Sequence, residues 1–212
     1  MLLVVGLGNP GPGHSGNRHN IGFMAADAIV RRHDFGALRA RFDGLIAEGK
    51  VAGTRVLMLK PLTYMNDSGR SVGQAMCYFK LEPSQVTVIH DELDLAAGKV
   101  KVKIGGGAAG HNGLRSIDEH IGRDYRRVRL GIGHPGEREL VHGYVLQDFA
   151  KAEWAWVAKL VEAVAEALPI LVEGDDNGFM NKVTVLTRAP RPGKPKPDNG
   201  APPADGLPAA SN

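Results

Sequence analysis

Leu2-Leu3-Val4-Val5-Gly6-Leu7-Gly8-Asn9-Pro10-Gly11 decides how the rest of the chain is read. Four apolar residues in a row followed by glycines and a proline predict a buried strand that delivers the chain into a loop. The loop continues through Pro12, Gly13, His14, Ser15 and Gly16 to about Arg18. A helix follows from about Asn20, with Ile21, Met24, Ala25, Ala28 and Ile29 on one face. Gly6, Gly8 and Gly11 match the dinucleotide fingerprint, but there the third glycine opens the helix that receives the pyrophosphate. Here the loop runs on past Gly11, and no acidic residue ends a second strand about twenty positions later, because Asp27 lies inside the helix. The dinucleotide reading is rejected. The same opening is a strand and not a secretory leader, and no apolar run reaches membrane-spanning length.

Outward from this stretch, strand and helix patterns alternate. Leu45–Val51 and Arg55–Leu59 predict an antiparallel hairpin. Ser68–Lys80 has helical spacing and a cap at Asp67 or Ser68. Within it the only cysteine, Cys77, reads as a lone buried thiol, which excludes a disulfide framework and fits a reducing cytoplasm. Val86–Ile89 is a fully apolar strand ending at His90-Asp91. Lys99, Lys101 and Lys103 alternate with Val100, Val102 and Ile104, and Arg127 and Arg129 alternate with Val128, Leu130 and Ile132. Each pattern predicts a half-buried strand with a basic outer face. A short helix is expected between them, just after Asn112, and a longer one over Glu153–Glu173 that Pro169 ends or kinks. The fold class is α/β: one domain over 1–187, a mixed, mostly parallel twisted sheet with helices on both faces.

Residues 188–212 stand apart, with seven of the thirteen prolines, no aromatic residue and one leucine. Such a segment buries too little apolar surface to offset its ordering entropy, so a disordered tail is expected. It also carries most of the formal charge of +3, because four basic residues face two acidic ones there. The folded part is therefore nearly neutral and any basic surface is local. Residues 99–129 are the one such region, with eight basic against three acidic side chains.

Chemistry is carried by a few residues. A lone histidine at a helix start, as in Arg18-His19-Asn20, is ordinarily structural. His90-Asp91-Glu92-Leu93-Asp94 changes the balance, because it follows a buried strand and ligands bind beyond the carboxyl ends of such strands. A histidine and a carboxylate at neighbouring strand ends form an oriented general base. The acidic cluster could bind a metal instead, but its ligands crowd into one stretch without CxxC or HExxH spacing, so neither metal nor cofactor is expected. Asn9, Asn66 and Asn112 recur in glycine-framed loops; turn chemistry explains any one, whereas three together could hold a peptide-like ligand. The glycine-rich run 105–110 could cradle phosphate but lacks the Lys-Ser/Thr of a P-loop, and no GxSxG elbow is present.

Gly6–Gly11, Arg18-His19-Asn20, Pro61–Asn66, His90–Leu95, Gly105–Ile117 and Arg129–Gly136 together resemble the signature blocks of the bacterial peptidyl-tRNA hydrolase family, in order, across residues 1 to about 186. The resemblance implies a metal-independent, monomeric, cytoplasmic enzyme that cleaves the ester between peptide and tRNA. It implies His19 as the base, Asp91 as its supporting carboxylate, and Asn9 as a group distinguishing blocked from free aminoacyl ends. Asn66, Asn112 and Tyr64 fall at substrate-holding positions, and Lys103 and Arg129 at positions associated with tRNA phosphate. His14 stands where the family usually has tyrosine, which bears on a substrate contact, and Asn17 where it usually has threonine. Two rival classes remain, a non-catalytic RNA-binding domain and a metal-dependent hydrolase. Possession of both His19 and Asp91 argues against the first, and chelator-resistant activity would remove the second.

Overall fold

The computed structural model describes residues 1–188, so the tail expected from 188 onward lies, apart from Arg188, outside the described residues. Seven strands form one mixed sheet: β1 (Leu2–Gly6), β2 (Arg39–Arg41), β3 (Gly44–Val51), β4 (Thr54–Pro61), β5 (Val86–Glu92), β6 (Val100–Ile104) and β7 (Arg126–Gly131). Their spatial order is β2-β3-β4-β1-β5-β7-β6. β4, β1, β5 and β7 run parallel, while β2, β3 and β6 are antiparallel to their neighbours. Among the described residues there are six α-helices: α1 (Ile21–Arg32), α2 (Ser68–Phe79) and α3 (Asn112–Ile121) between strands, and α4 (Val141–Leu146), α5 (Trp154–Val172) and α6 (Asp176–Thr187) after β7.

Two apolar cores cover the two faces of the sheet. Ile21, Ala25 and Ile29 of α1 pack with Leu160 and Val164 of α5 over Val4, Met58, Ile89 and Val128. Val72 and Ala75 of α2 pack with Leu114 and Ile117 of α3 over Leu3, Val5, Leu57 and Val88. The chain leaves β1 for β4 on one side and leaves β4 for β5 on the other, so the order reverses at β1. That reversal opens a crevice beyond the carboxyl ends of β1 and β5, where loops from both strands converge.

The glycines of the opening stretch serve packing, not a nucleotide. A Cβ on Gly6 would come within 2.3 Å of the Gly22 carbonyl oxygen. This contact lets α1 lie directly on β1 and draws the turn before α1 over the crevice.

Several expectations are corrected. Cys77 is exposed, because it lies off the apolar stripe of α2. Neither Asp67 nor Ser68 caps α2 with its side chain; the Ser68 hydroxyl donates to the Met65 carbonyl at 2.9 Å. α3 begins at Asn112, with His111 as its cap. Pro169 lies inside α5 without ending it there. A proline leaves the carbonyl four residues earlier without its helical donor, and His33 Nε2 supplies a replacement to the Ala165 oxygen at 2.7 Å. The basic outer face predicted for β7 is only partly present, since Arg127 is 2% exposed and donates to Asp118 and the Gly107 carbonyl. On β6, Lys101 and Lys103 are exposed as expected, but so is Ile104 at the strand end.

Candidate active site

The crevice is a cavity of about 1050 Å³. It is lined by Asn9 from the loop after β1, His19 from the turn before α1, Tyr64 and Asn66 before α2, and Asp91 from the end of β5. Asn112 at the start of α3 and a wall of Val141, His142, Val145 and Leu146 from α4 complete it. Six of the residues expected at the site thus meet on one surface. His14, Lys103 and Arg129 are not in this lining.

His19 sits in a 3-10 turn, Arg18–Asn20, and is 8% exposed. Its Nδ1 lies 2.8 and 2.9 Å from the two Asp91 carboxylate oxygens. A carboxylate only accepts, so Nδ1 carries the proton and Nε2 keeps a free lone pair. Burial lowers the pKa of His19, but the charge of Asp91 and its hydrogen bond outweigh this and hold it above the ordinary 6.5. Asp91 itself is buried, which disfavours its charge. The neighbouring His19 and His111 overcome that and keep it well below the usual carboxylate range.

His111 completes the cluster and was not singled out from the sequence. Its Nδ1 accepts from the Gly113 and Leu114 N–H groups at 3.1 and 3.3 Å, capping α3. Its remaining proton is therefore on Nε2, which donates to Asp91 Oδ1 at 3.1 Å. Asp91 receives two imidazole donors, one from each side of the crevice. The ring atoms of His19 and His111 and an Asp91 oxygen lie within 4.8 Å of one another, a spacing that could hold a metal ion. Here a cation would have to displace both hydrogen bonds to Asp91, and the His111 nitrogen facing away is already spent on the helix cap.

Asn9 is oriented by its neighbours. The Asn20 side chain bonds both the N–H and the carbonyl of Asn9 at 2.9 Å, as a paired strand would. Asn9 Oδ1 accepts from the Met65 N–H at 2.9 Å. With the oxygen occupied, the free end of Asn9 is its NH2 group, a donor. Asn20, adjacent to His19, is the second residue of the cluster that the sequence did not mark. Tyr64 is 69% exposed at the rim, and Asn66 and Asn112 are exposed beside it. Their two helices are held close, because the Gly69 N–H donates to Ser116 Oγ at 3.0 Å and a Cβ on Gly69 would strike the Ser116 carbonyl.

The two departures from the family pattern touch each other. His14 Nδ1 lies 2.8 Å from Asn17 Oδ1, and Asn17 Nδ2 donates to Asp148 at 2.7 Å. Lys103 is exposed on edge strand β6, and Arg129, 25% exposed, donates to Glu92 Oε2 at 2.8 Å.

His90 precedes Asp91 on β5 but points to the other face of the sheet, fully buried. Burial pushes its pKa down to about 3, helped by the nearby His111 and only partly opposed by Asp91. Its folded value lies below the unfolded 6.5, so protons favour unfolding. The expected result is a Tm that falls as pH drops from 6.5 toward about 3, with a slope of at most about 1.4 kcal/mol per pH unit from this group. Thermal melts from pH 7 to 4 check this, and a flat Tm would contradict it. His19 acts in a different window: its raised value adds stability that is complete below 6.5 and lost as pH climbs through the folded pKa.

A family model described as peptidyl-tRNA hydrolase matches residues 3–191. A peptidyl-tRNA hydrolase of Parvibaculum lavamentivorans is 59% identical over 197 residues, 92% of this chain and 96% of that one. One of Methylocella silvestris is 62% identical over 183 residues, 86% and 93% of the two chains. The crystal structure of peptidyl-tRNA hydrolase from Acinetobacter baumannii superposes with a TM-score of 0.81 at 37% identity, covering 86% of this chain and 94% of that one. A site of this geometry, on this fold, with a match over nearly all of the described residues, places the chain in the peptidyl-tRNA hydrolase family.

Proposed function

We propose that this chain hydrolyses the ester between peptide and tRNA, with His19 as general base and Asp91 as its support. The observation that carries the reading is the 2.8 Å contact of His19 Nδ1 with Asp91, which leaves Nε2 free on the cavity. Nε2 takes a proton from water as the water oxygen attacks the ester carbonyl. The Asp91 carboxylate stabilises the imidazolium that forms. When the tetrahedral intermediate collapses, the same proton passes to the ribose oxygen that leaves. Asn9 Nδ2 is the donor placed for the acyl carbonyl of a blocked end, and a free α-ammonium offers no such acceptor. The reaction requires no covalent intermediate and no metal, and we place it in the cytoplasm on a monomer.

The test is a cleavage assay with N-blocked and free aminoacyl-tRNA, each with and without chelator. Cleavage of the blocked form alone, unchanged by chelator, is expected. Loss of activity on chelation would move the reading to a metal held by His19, Asp91 and His111. No turnover at all would leave an RNA-binding domain.

The basic strands bear on tRNA affinity. Lys103 shares a sheet face with Lys101, Arg127 and Arg129, since Lys103 pairs with Arg127 and Lys101 with Arg129 across β6 and β7. Lys103→Ala should raise KM for peptidyl-tRNA and reduce the slope of log affinity against log salt by just under one unit. A peptide ester of a single nucleoside lacks those phosphates and should be cleaved as well by this variant as by wild type. Equal losses on both substrates would refute the phosphate role. Arg129→Ala is a less clean probe, because it also frees the Glu92 carboxylate that Arg129 neutralises.

A further inference from the structure

We infer that Arg18 is a positioning residue that sets the gap between the base and the opposite cavity wall, α4. The inference rests on His19 being the base. The two walls come from distant parts of the chain: His19 from the turn after the β1 loop, and Val141, Val145 and Leu146 from α4. α4 has six residues and fully buries only Val145. A helix so short does not hold itself in place. Tyr144 supplies one anchor, its hydroxyl donating to the Ile132 carbonyl at 2.6 Å. Arg18 supplies the other.

Arg18 is 7% exposed. Its guanidinium lies 4.4 Å from the Tyr144 ring centre and 5.3 Å from that of Phe149. Nη1 donates to the Asp148 carbonyl at 2.8 Å and Nη2 to Glu153 at 2.6 Å. Its backbone N–H donates to Gln147 O at 3.0 Å, and the Phe149 N–H reaches Gly16 O at the same distance. Every one of these ties joins the chain around His19 to α4 itself, at Tyr144, or to the segment that follows it. The next residue in the chain is the base, which the Asp91 contact holds separately, so what the guanidinium fixes is where α4 stands against it.

The arrangement is costly for stability alone. Arg18 Nε is buried without a partner, and a buried ion pair is often replaceable by apolar residues without loss. What apolar residues cannot supply is a planar fork that stacks between rings while bonding in two directions. The geometry points to alignment as its use. The side chains α4 offers the cavity are mostly apolar, so the aligned part of the substrate is its acyl or terminal nucleoside portion, not the tRNA phosphates.

The test uses Arg18→Lys, which keeps the charge and loses the fork, and Glu153→Ala, which keeps Arg18 and removes its carboxylate. kcat, KM and the acid limb of the pH profile are measured on peptidyl-tRNA and on the single-nucleoside ester. Arg18→Lys should raise KM about tenfold on both substrates with less than a threefold loss of kcat, and Glu153→Ala should raise KM about threefold. The acid limb should stay in place, because the Asp91 contact of His19 is untouched. A merely structural role would lower kcat with the fraction of folded protein and leave KM alone, and that pattern would overturn the inference. So would unchanged KM in both variants, or a KM rise confined to the tRNA substrate. Wild-type cleavage with an inactive His19→Ala control shows separately that the base assignment stands.

Discussion

His19→Ala is expected to lower kcat by at least about a hundredfold while KM for peptidyl-tRNA changes little, since a positioned general base contributes roughly 10²–10⁴. The structure explains both halves. Nε2 of His19 is the free nitrogen of the Asp91 cluster that faces the cavity, because His111 spends both of its own on the α3 cap and on Asp91. At 8% exposure the imidazole offers little area for binding, so its loss falls on the chemical step. Asp91 keeps the His111 bond in the variant, and the fold survives. Steady-state kinetics on the purified variant, with circular dichroism to confirm folding, decide the matter; near-normal turnover would end the assignment.

Asp91→Asn carries the second large effect. An asparagine there has one acceptor and one donor end. His111 Nε2–H demands the acceptor, which turns the NH2 group toward His19 Nδ1. An NH2 group in the place of Oδ2, 2.9 Å from Nδ1, competes with the N–H there and favours the tautomer with its proton on Nε2, where a base needs a lone pair, and the negative charge that stabilises the imidazolium is gone. The loss in kcat should be similar to that of His19→Ala or smaller. The double variant should be hardly worse than His19→Ala, because the two residues act as a unit. A pH profile adds an independent sign. A histidine acting as the proposed base works unprotonated, so the raised pKa of His19 is expected to put the wild-type acid limb of kcat/KM above 6.5. With Asp91 neutralised, burial alone remains and lowers that pKa, so the limb moves to lower pH. Multiplying losses, or an acid limb that does not move, would mean that Asp91 has another task.

The readable parts of the sequence were those with strong periodicity. β1, the β3–β4 hairpin, β5, and the apolar stripes of α1, α2 and α5 each bury enough side chains to impose a pattern on their own. β2 is three exposed residues, Arg-Ala-Arg, held by pairing with β3, and no local pattern marks it. α4 is defined by what Arg18 reaches across more than a hundred residues of chain and by the Tyr144 bond to the Ile132 carbonyl. α6 buries only Phe179 and Val183. At the site, Asp91 was readable because it ends a strong strand signal, and His19 because it stands in the loop after β1, at the start of the α1 stripe. His111 was not, since beside Asn112 it looks like one more polar residue of a glycine-rich turn until the fold brings the start of α3 against β5. Arg127 follows the outward phase of its strand, yet Asp118 of α3 and the Tyr125 ring close over it. Alternation records which face a residue is on, and not whether that face is covered.

The exposure of Cys77 has a practical side. It is the only thiol in the chain and stands near the far end of α2, roughly 15 Å of helix from the Asn66 rim at 1.5 Å per residue. A maleimide fluorophore attached there gives one label at one known place, clear of the cavity, and can report tRNA binding by anisotropy without a second mutation. The same sulfur cross-links two molecules when reductant runs out. A dimer seen on a column after storage in air must therefore be rerun with a thiol reductant before it is counted against a monomer.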